Sequence, residues 1–158
     1  MGHPWIHNRS IGGQLMAKID MKINSKMKAL EQKVARQKNL ALQDYARGEL
    51  QDIQRRIVTA KTDPYGHRWA PWAFSTMRAR MRDGTFGRGL LYKTGQLLRS
   101  ITATIKDSEV TVASSVPYAQ YLQDGRENMR PRVIFDLGSK LSFNRLTKSL
   151  KKFMSSIK

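Results

Sequence analysis

Residues 63–101 read DPYGHRWAPWAFSTMRARMRDGTFGRGLLYKTGQLLRSI, and this stretch decides the fold. Asp63-Pro64-Tyr65-Gly66 is a turn: proline presets φ near the helical value, and glycine tolerates the positive φ that turns often require. Trp69, Trp72 and Phe74 follow as a dense aromatic patch. Trp69 is expected to close the end of a core. Trp72 and Phe74 are candidates for a subunit interface, where large aromatics are enriched. Ser75 can cap a short helix through Arg82, with Met77 and Met81 four apart and Arg78, Arg80 and Arg82 as its cations. Residues 83–89 (DGTFGRG) form a glycine-rich loop that lacks the Gly-Lys-Ser/Thr ending of a phosphate-cradling loop. Arg78, Arg80, Arg82 and Arg88 are candidate contacts to DNA in a channel or to an acidic protein. Thr94 can cap a short helical turn over Gln96–Ser100, which leads into the first clear strand.

Upstream of the turn, residues 26–60 contain no proline and one glycine, Gly48. Met27, Leu30 and Val34, then Ala41 and Tyr45, then Leu50, Ile53, Ile57 and Ala60 recur at helical spacing. The pattern predicts a long amphipathic helix with an irregularity near Gly48, capped by Asn24 and Ser25. Its polar face mixes cations with Glu31, Asp44, Glu49 and Asp52 and is expected to be solvated. Before it, Ile19, Met21 and Ile23 alternate with Lys18, Asp20 and Lys22, which predicts a strand over 17–23. Residues 1–15 show no period and are expected to be a flexible arm, with 16–158 as a single domain. Trp5 is a further interface candidate in that arm. His3 and His7 are four apart, but Pro4 between them and the lack of a third ligand argue against a metal site.

Downstream, 101–105 and 110–114 alternate apolar with polar residues around a polar tip, Lys106-Asp107-Ser108-Glu109, which predicts a β-hairpin. Pro117 at the start and Gly125 past the end bracket a short helix, 118–123. Val133, Ile134 and Phe135 after Pro131 suggest an edge strand over 130–135. A final helix near 141–157 carries a stripe of Leu146, Leu150, Phe153 and Ile157 and is expected to cover the strands, with its lysines outward.

Lys and Arg number 29 against 12 Asp and Glu, a net charge of +17. A chain this basic repels itself as an isolated compact body and is suited to a polyanion or an acidic protein surface. No apolar run reaches the ~20 residues of a bilayer span, and the N-terminal residues show no apolar signal region. Without cysteine there is no disulfide and no thiolate metal site. No histidine sits in a nucleophile–base pattern, and no carboxylate pair or metal motif is present. Enzymatic activity, a cofactor and a small-molecule substrate are therefore not expected.

The ordered set Pro64-x-Gly66-x-x-Trp69, Thr94-Gly95-x-Leu97, Tyr118 with Gly125, and Pro131-Arg132 resembles the phage virion morphogenesis (tail-completion) family of tailed bacteriophages, over roughly residues 19–153. The resemblance implies a structural protein of the virion neck or tail end, made in the host cytoplasm. It implies a ring of identical copies, six-fold by expectation, that completes the tail and meets the head connector, tail tube or sheath, with genomic DNA in its channel. The alternative is a basic nucleic-acid-binding protein acting outside a virion. The element order predicts an α+β fold: a small, mainly antiparallel sheet with helices on one face and a long N-terminal helix. The expected core is Leu30, Ile53, Ile57, Trp69, Leu97, Ile101, Ile105, Val112, Tyr118, Leu122, Ile134, Leu146 and Leu150.

Overall fold

The computed structural model describes the backbone of residues 10–127, 129–135 and 140–157, with side chains from Met21 onward. Helix α1 (Ser10–Arg55) runs unbroken for 46 residues, roughly 69 Å at 1.5 Å per residue. Residues 17–23 lie inside it, so the strand expected there is not formed. Ile19 and Ile23 are i and i+4, a spacing that suits a helix as well as it suits alternation. The helix is already running at Ser25, whose hydroxyl donates back to the Lys22 carbonyl (2.9 Å) instead of capping. The helix also starts within the expected arm; residues 1–9, including Trp5, lie outside the described residues.

At its C-terminal end α1 passes into a π-helical turn, Arg56–Ala60, closed by Lys61 N–H donating to the Arg56 carbonyl (2.7 Å) with Lys61 left-handed (φ 55°). Then come α2 (Phe74–Arg82), a 3₁₀ turn at Phe86–Arg88, α3 (Gln96–Ser100), strands β1 (Ile101–Lys106) and β2 (Glu109–Ser114), α4 (Tyr118–Asp124) and α5 (Lys140–Met154). The strands pair antiparallel from Ile101↔Ser114 to Lys106↔Glu109. Their two-residue turn places both Asp107 and Ser108 at positive φ, the geometry whose twist matches a hairpin.

The class is α+β, with the sheet reduced to this one hairpin among the described residues. The strand expected over 130–135 is absent because the Gln123 side chain takes the place of a partner strand. Its Oε1 accepts from the N–H groups of Ile134 (2.8 Å) and Phe135 (3.1 Å), and its Nε2 donates to the Phe135 carbonyl (3.0 Å). The core gathers Ile53, Ile57, Trp69, Leu97, Ile101, Val112 and Ile134, with Leu122 packed against it. Three expected core members are elsewhere: Leu30 is 48% exposed on the far part of α1, Ile105 lies near the hairpin tip, and Tyr118 is exposed. Leu146 and Leu150 are half-buried.

Helix α5 packs along α1, and α1 covers the hairpin, so α5 is not the cover of the strands. Polar chemistry fixes this pairing. Ser149 Oγ donates to Asp44 Oδ2 (2.8 Å), Lys152 reaches Asp44 Oδ1 (3.3 Å), and Arg145 pairs with Glu49 and, at 3.8 Å, with Asp52. The Ser149 hydrogen bond, ahead of Lys152, holds the Asp44 carboxyl below the usual carboxylate range. Glu49 is only 2% exposed, so the acid-bearing face of α1 is an internal seam and not a solvated surface.

Candidate functional site

Two features stand out from this frame: a helix that leaves the body, and a basic cavity within the body. Every residue from Met21 to Arg36 is exposed. Ile23, Met27, Leu30 and Val34 repeat at steps of four, three and four, which places them on one stripe of a helix. Between residues 21 and 40 the same helix carries six Lys or Arg and a single acid, Glu31.

The cavity holds about 840 Å3. It lies where the segment after Trp69, α2, the chain leading into α3, and the loop after α4 converge. Turn chemistry positions the first wall. Asp63 Oδ1 accepts from the N–H groups of Tyr65 (2.9 Å) and His67 (2.8 Å), while its Oδ2 meets His67 Nδ1 (2.9 Å). Burial works to raise the Asp63 carboxyl, but these hydrogen bonds outweigh it and hold it low. Gly66 sits at φ 92°, and Trp69 returns to pair its N–H with the Lys61 carbonyl (3.0 Å). Pro64 is half-buried in the turn and Trp69 is in the core.

The second wall depends on two glycines. Gly95 is left-handed (φ 75°), and a Cβ there would lie 2.8 Å from Arg99 and 3.1 Å from the Tyr92 hydroxyl. Thr94 Oγ1 accepts from the Gln96 N–H (3.3 Å) at the start of α3, which buries Leu97. Gly125 (φ 78°) lets the chain fold back so closely that a Cβ would meet the Met129 carbonyl oxygen at 2.7 Å and Pro131 at 3.0 Å. That reversal delivers Arg132, whose N–H donates to the Leu122 carbonyl (2.7 Å) and whose Nη2 donates to the carbonyls of Ala70 (3.1 Å) and Pro71 (3.3 Å). Tyr118 and Leu122 complete this side.

The four candidate arginines divide. Arg78, Arg82 and Arg88 are exposed; Arg78 lies over the Phe74 ring at 4.7 Å. Arg80 turns inward, because two residues along a helix is about 200° of rotation. It stacks over Trp72 (4.4 Å) and donates through Nη1 to the carbonyls of Gly89 (3.2 Å) and Tyr92 (3.5 Å). Arg80 therefore cannot join its neighbours on an outward face. Trp72 donates its Nε1–H to the Leu90 carbonyl (2.9 Å) and packs on Phe86, whereas Phe74 is exposed. Burial lowers the Arg80 and Arg132 guanidiniums from their usual value. Among the described residues no three His, Asp or Glu converge in metal-binding geometry.

Residues 19–147 match the phage virion morphogenesis family. The chain belongs to that family. As a virion morphogenesis protein it acts in assembling a phage particle, alongside other virion proteins. No curated protein and no solved structure matches it. In this family member the expected motif residues Pro64, Gly66, Trp69, Thr94, Gly95, Leu97, Tyr118, Gly125, Pro131 and Arg132 fall along the turn and the cavity walls just described. The α1–α5 ion seam was missed from sequence. Its signal was Glu49, Asp52 and Arg56 at i, i+3 and i+7, one acidic-to-basic stripe on the helix side that carries Ile53.

Proposed function

We propose that this chain is a non-enzymatic component of the phage neck or tail end, where copies close into a ring, six-fold by expectation, that completes the tail and docks the head connector. The exposed first half of α1 carries this reading. A compact domain of this length has a radius of gyration of about 15 Å, so a helix of roughly 69 Å must leave it. The departing part bears Ile23, Met27, Leu30 and Val34 in a coiled-coil-like stripe, all four exposed. A neighbouring copy is the natural cover, and head-to-tail contacts that close give rings. The cations of α1, with Arg82 and Arg88, then face the DNA channel or an acidic rim.

Mass photometry of the purified chain, alone and mixed with purified phage tails, tests this. The wild type is expected to form closed oligomers or to load onto tail ends. A Met27→Glu/Val34→Glu variant is expected to stay folded and lose both. A monomer that ignores tails and instead binds duplex DNA with steep salt dependence would replace the ring by the free nucleic-acid-binding alternative.

A further inference from the structure

Of the three arginines that line the cavity, two are buried, Arg80 and Arg132, each 9% exposed. Neither has an Asp or Glu partner among the described residues; their side-chain hydrogen bonds go to backbone carbonyls. A guanidinium has five N–H donors. Arg132 uses Nη2 on two carbonyls, while its Nε is buried with no acceptor among the described residues. Carbonyl dipoles satisfy donors but leave the charge uncompensated, and a buried charge is costly until a counter-charge meets it. Around these cations the walls carry Trp72, Leu90, Leu91, Leu97 and Leu122, with Thr76, Thr94, Gln96 and Lys93 (paired with Asp83) also in the lining and exposed Arg130 at the edge.

We propose that the cavity is a docking site for an acidic, partly apolar peptide segment of a different virion protein, with an Asp or Glu carboxylate reaching Arg80 and Arg132. Aliphatic or aromatic side chains flanking that carboxylate lie against Trp72, Leu90, Leu91 and Leu122. A planar guanidinium meets a carboxylate in a two-bond fork, and burial strengthens that pairing. Charge decides among occupants. A second copy is itself +17, Asp44, Glu49, Asp52 and Asp83 are already held in internal ion pairs, and Asp63 is hydrogen-bonded to His67. Duplex DNA presents its phosphates on a convex cylinder, which does not enter a hollow of this size. A carboxylate on a flexible segment does. The proposal takes from the previous section only that the partner is a virion protein; a ring is not required.

The test is fluorescence anisotropy on the full chain with a labelled short peptide that alternates glutamate with leucine and phenylalanine, beside its glutamine isostere. The carboxylate peptide is expected to bind, the isostere to bind at least about tenfold more weakly. Arg132→Gln and Arg130→Glu should each weaken the acidic peptide by a similar factor. Should Arg132→Gln fail to fold, the edge variant Arg130→Glu and NMR of the arginine Nε–H signals decide: those of Arg80 and Arg132 must move when the wild type is titrated. Using the Met27→Glu/Val34→Glu background as well separates this site from ring closure, since peptide binding must survive there. Equal binding of the two peptides, unmoved arginine signals, or displacement of the peptide by a short DNA duplex would overturn the proposal.

Discussion

At Gly48 the backbone lies so close to α5 that an added Cβ would stand 2.8 Å from Cδ of Arg145. From sequence the glycine looks like a weak point in the helix, because glycine costs about 1 kcal/mol relative to alanine in a helix interior. In the fold it is a notch that the arginine stem crosses on its way to Glu49 and Asp52. Arg145 cannot swing aside without leaving Glu49, a buried carboxylate, and stripping one partner from a buried ion pair costs about 3–5 kcal/mol. A partial displacement suffices to exceed the helical gain of alanine. Gly48→Ala is therefore expected to destabilise the protein by about 1 kcal/mol or more in chemical denaturation. In an Arg145→Ala background the same change should instead stabilise it by about 0.5–1 kcal/mol. The inversion of sign in that double-mutant cycle is the check; the same sign in both backgrounds would mean that the glycine is there for another reason.

At the scale of elements, α1 is one helix with two environments. Met27, Leu30 and Val34 repeat as regularly as Leu50, Ile53 and Ile57, so periodicity marks both as an apolar stripe and cannot say which one the body covers. Leu30 therefore looked like core and is not, while Ile53 is 2% exposed. The hairpin and α3 were readable because their local chemistry is complete: alternation, a polar two-residue tip, and Thr94 and Gly95 ahead of α3. Residues 17–23 misled because a short alternating run is also compatible with i,i+4 spacing. Residues 130–135 misled because a glutamine on α4 supplies the hydrogen bonds that a strand would have supplied. Of the cavity, the glycines that shape it could be named in advance. That Arg80 and Arg132 share it could not, since their meeting depends on long-range folding. The two halves of α1 predict different energetics. Leu30→Ala should change the unfolding free energy by less than about 0.5 kcal/mol, whereas Ile53→Ala should cost about 2–5 kcal/mol. Both follow from denaturant titration of the dissociated chain, and a large loss at Leu30 would place that residue against the body.

For the whole molecule the charge sets the terms of assembly. A body at +17 resists contact with its own copies at long range, and salt removes that resistance: the screening length falls from about 30 Å at 0.01 M to about 3 Å at 1 M. The contacts proposed between copies are Ile23, Met27, Leu30 and Val34, exposed apolar side chains whose burial is little weakened by salt. Binding to an acidic partner has the opposite dependence, since its attraction is screened along with the repulsion. Raising salt is thus expected to strengthen self-association while weakening capture of an acidic peptide, and the two trends separate the contacts physically. Mass photometry across a salt series reads the first and anisotropy reads the second in the same buffers. Oligomers that dissolve as salt rises would mean that copies are held by ion pairs, and the apolar stripe of α1 would then have to be assigned to a different partner.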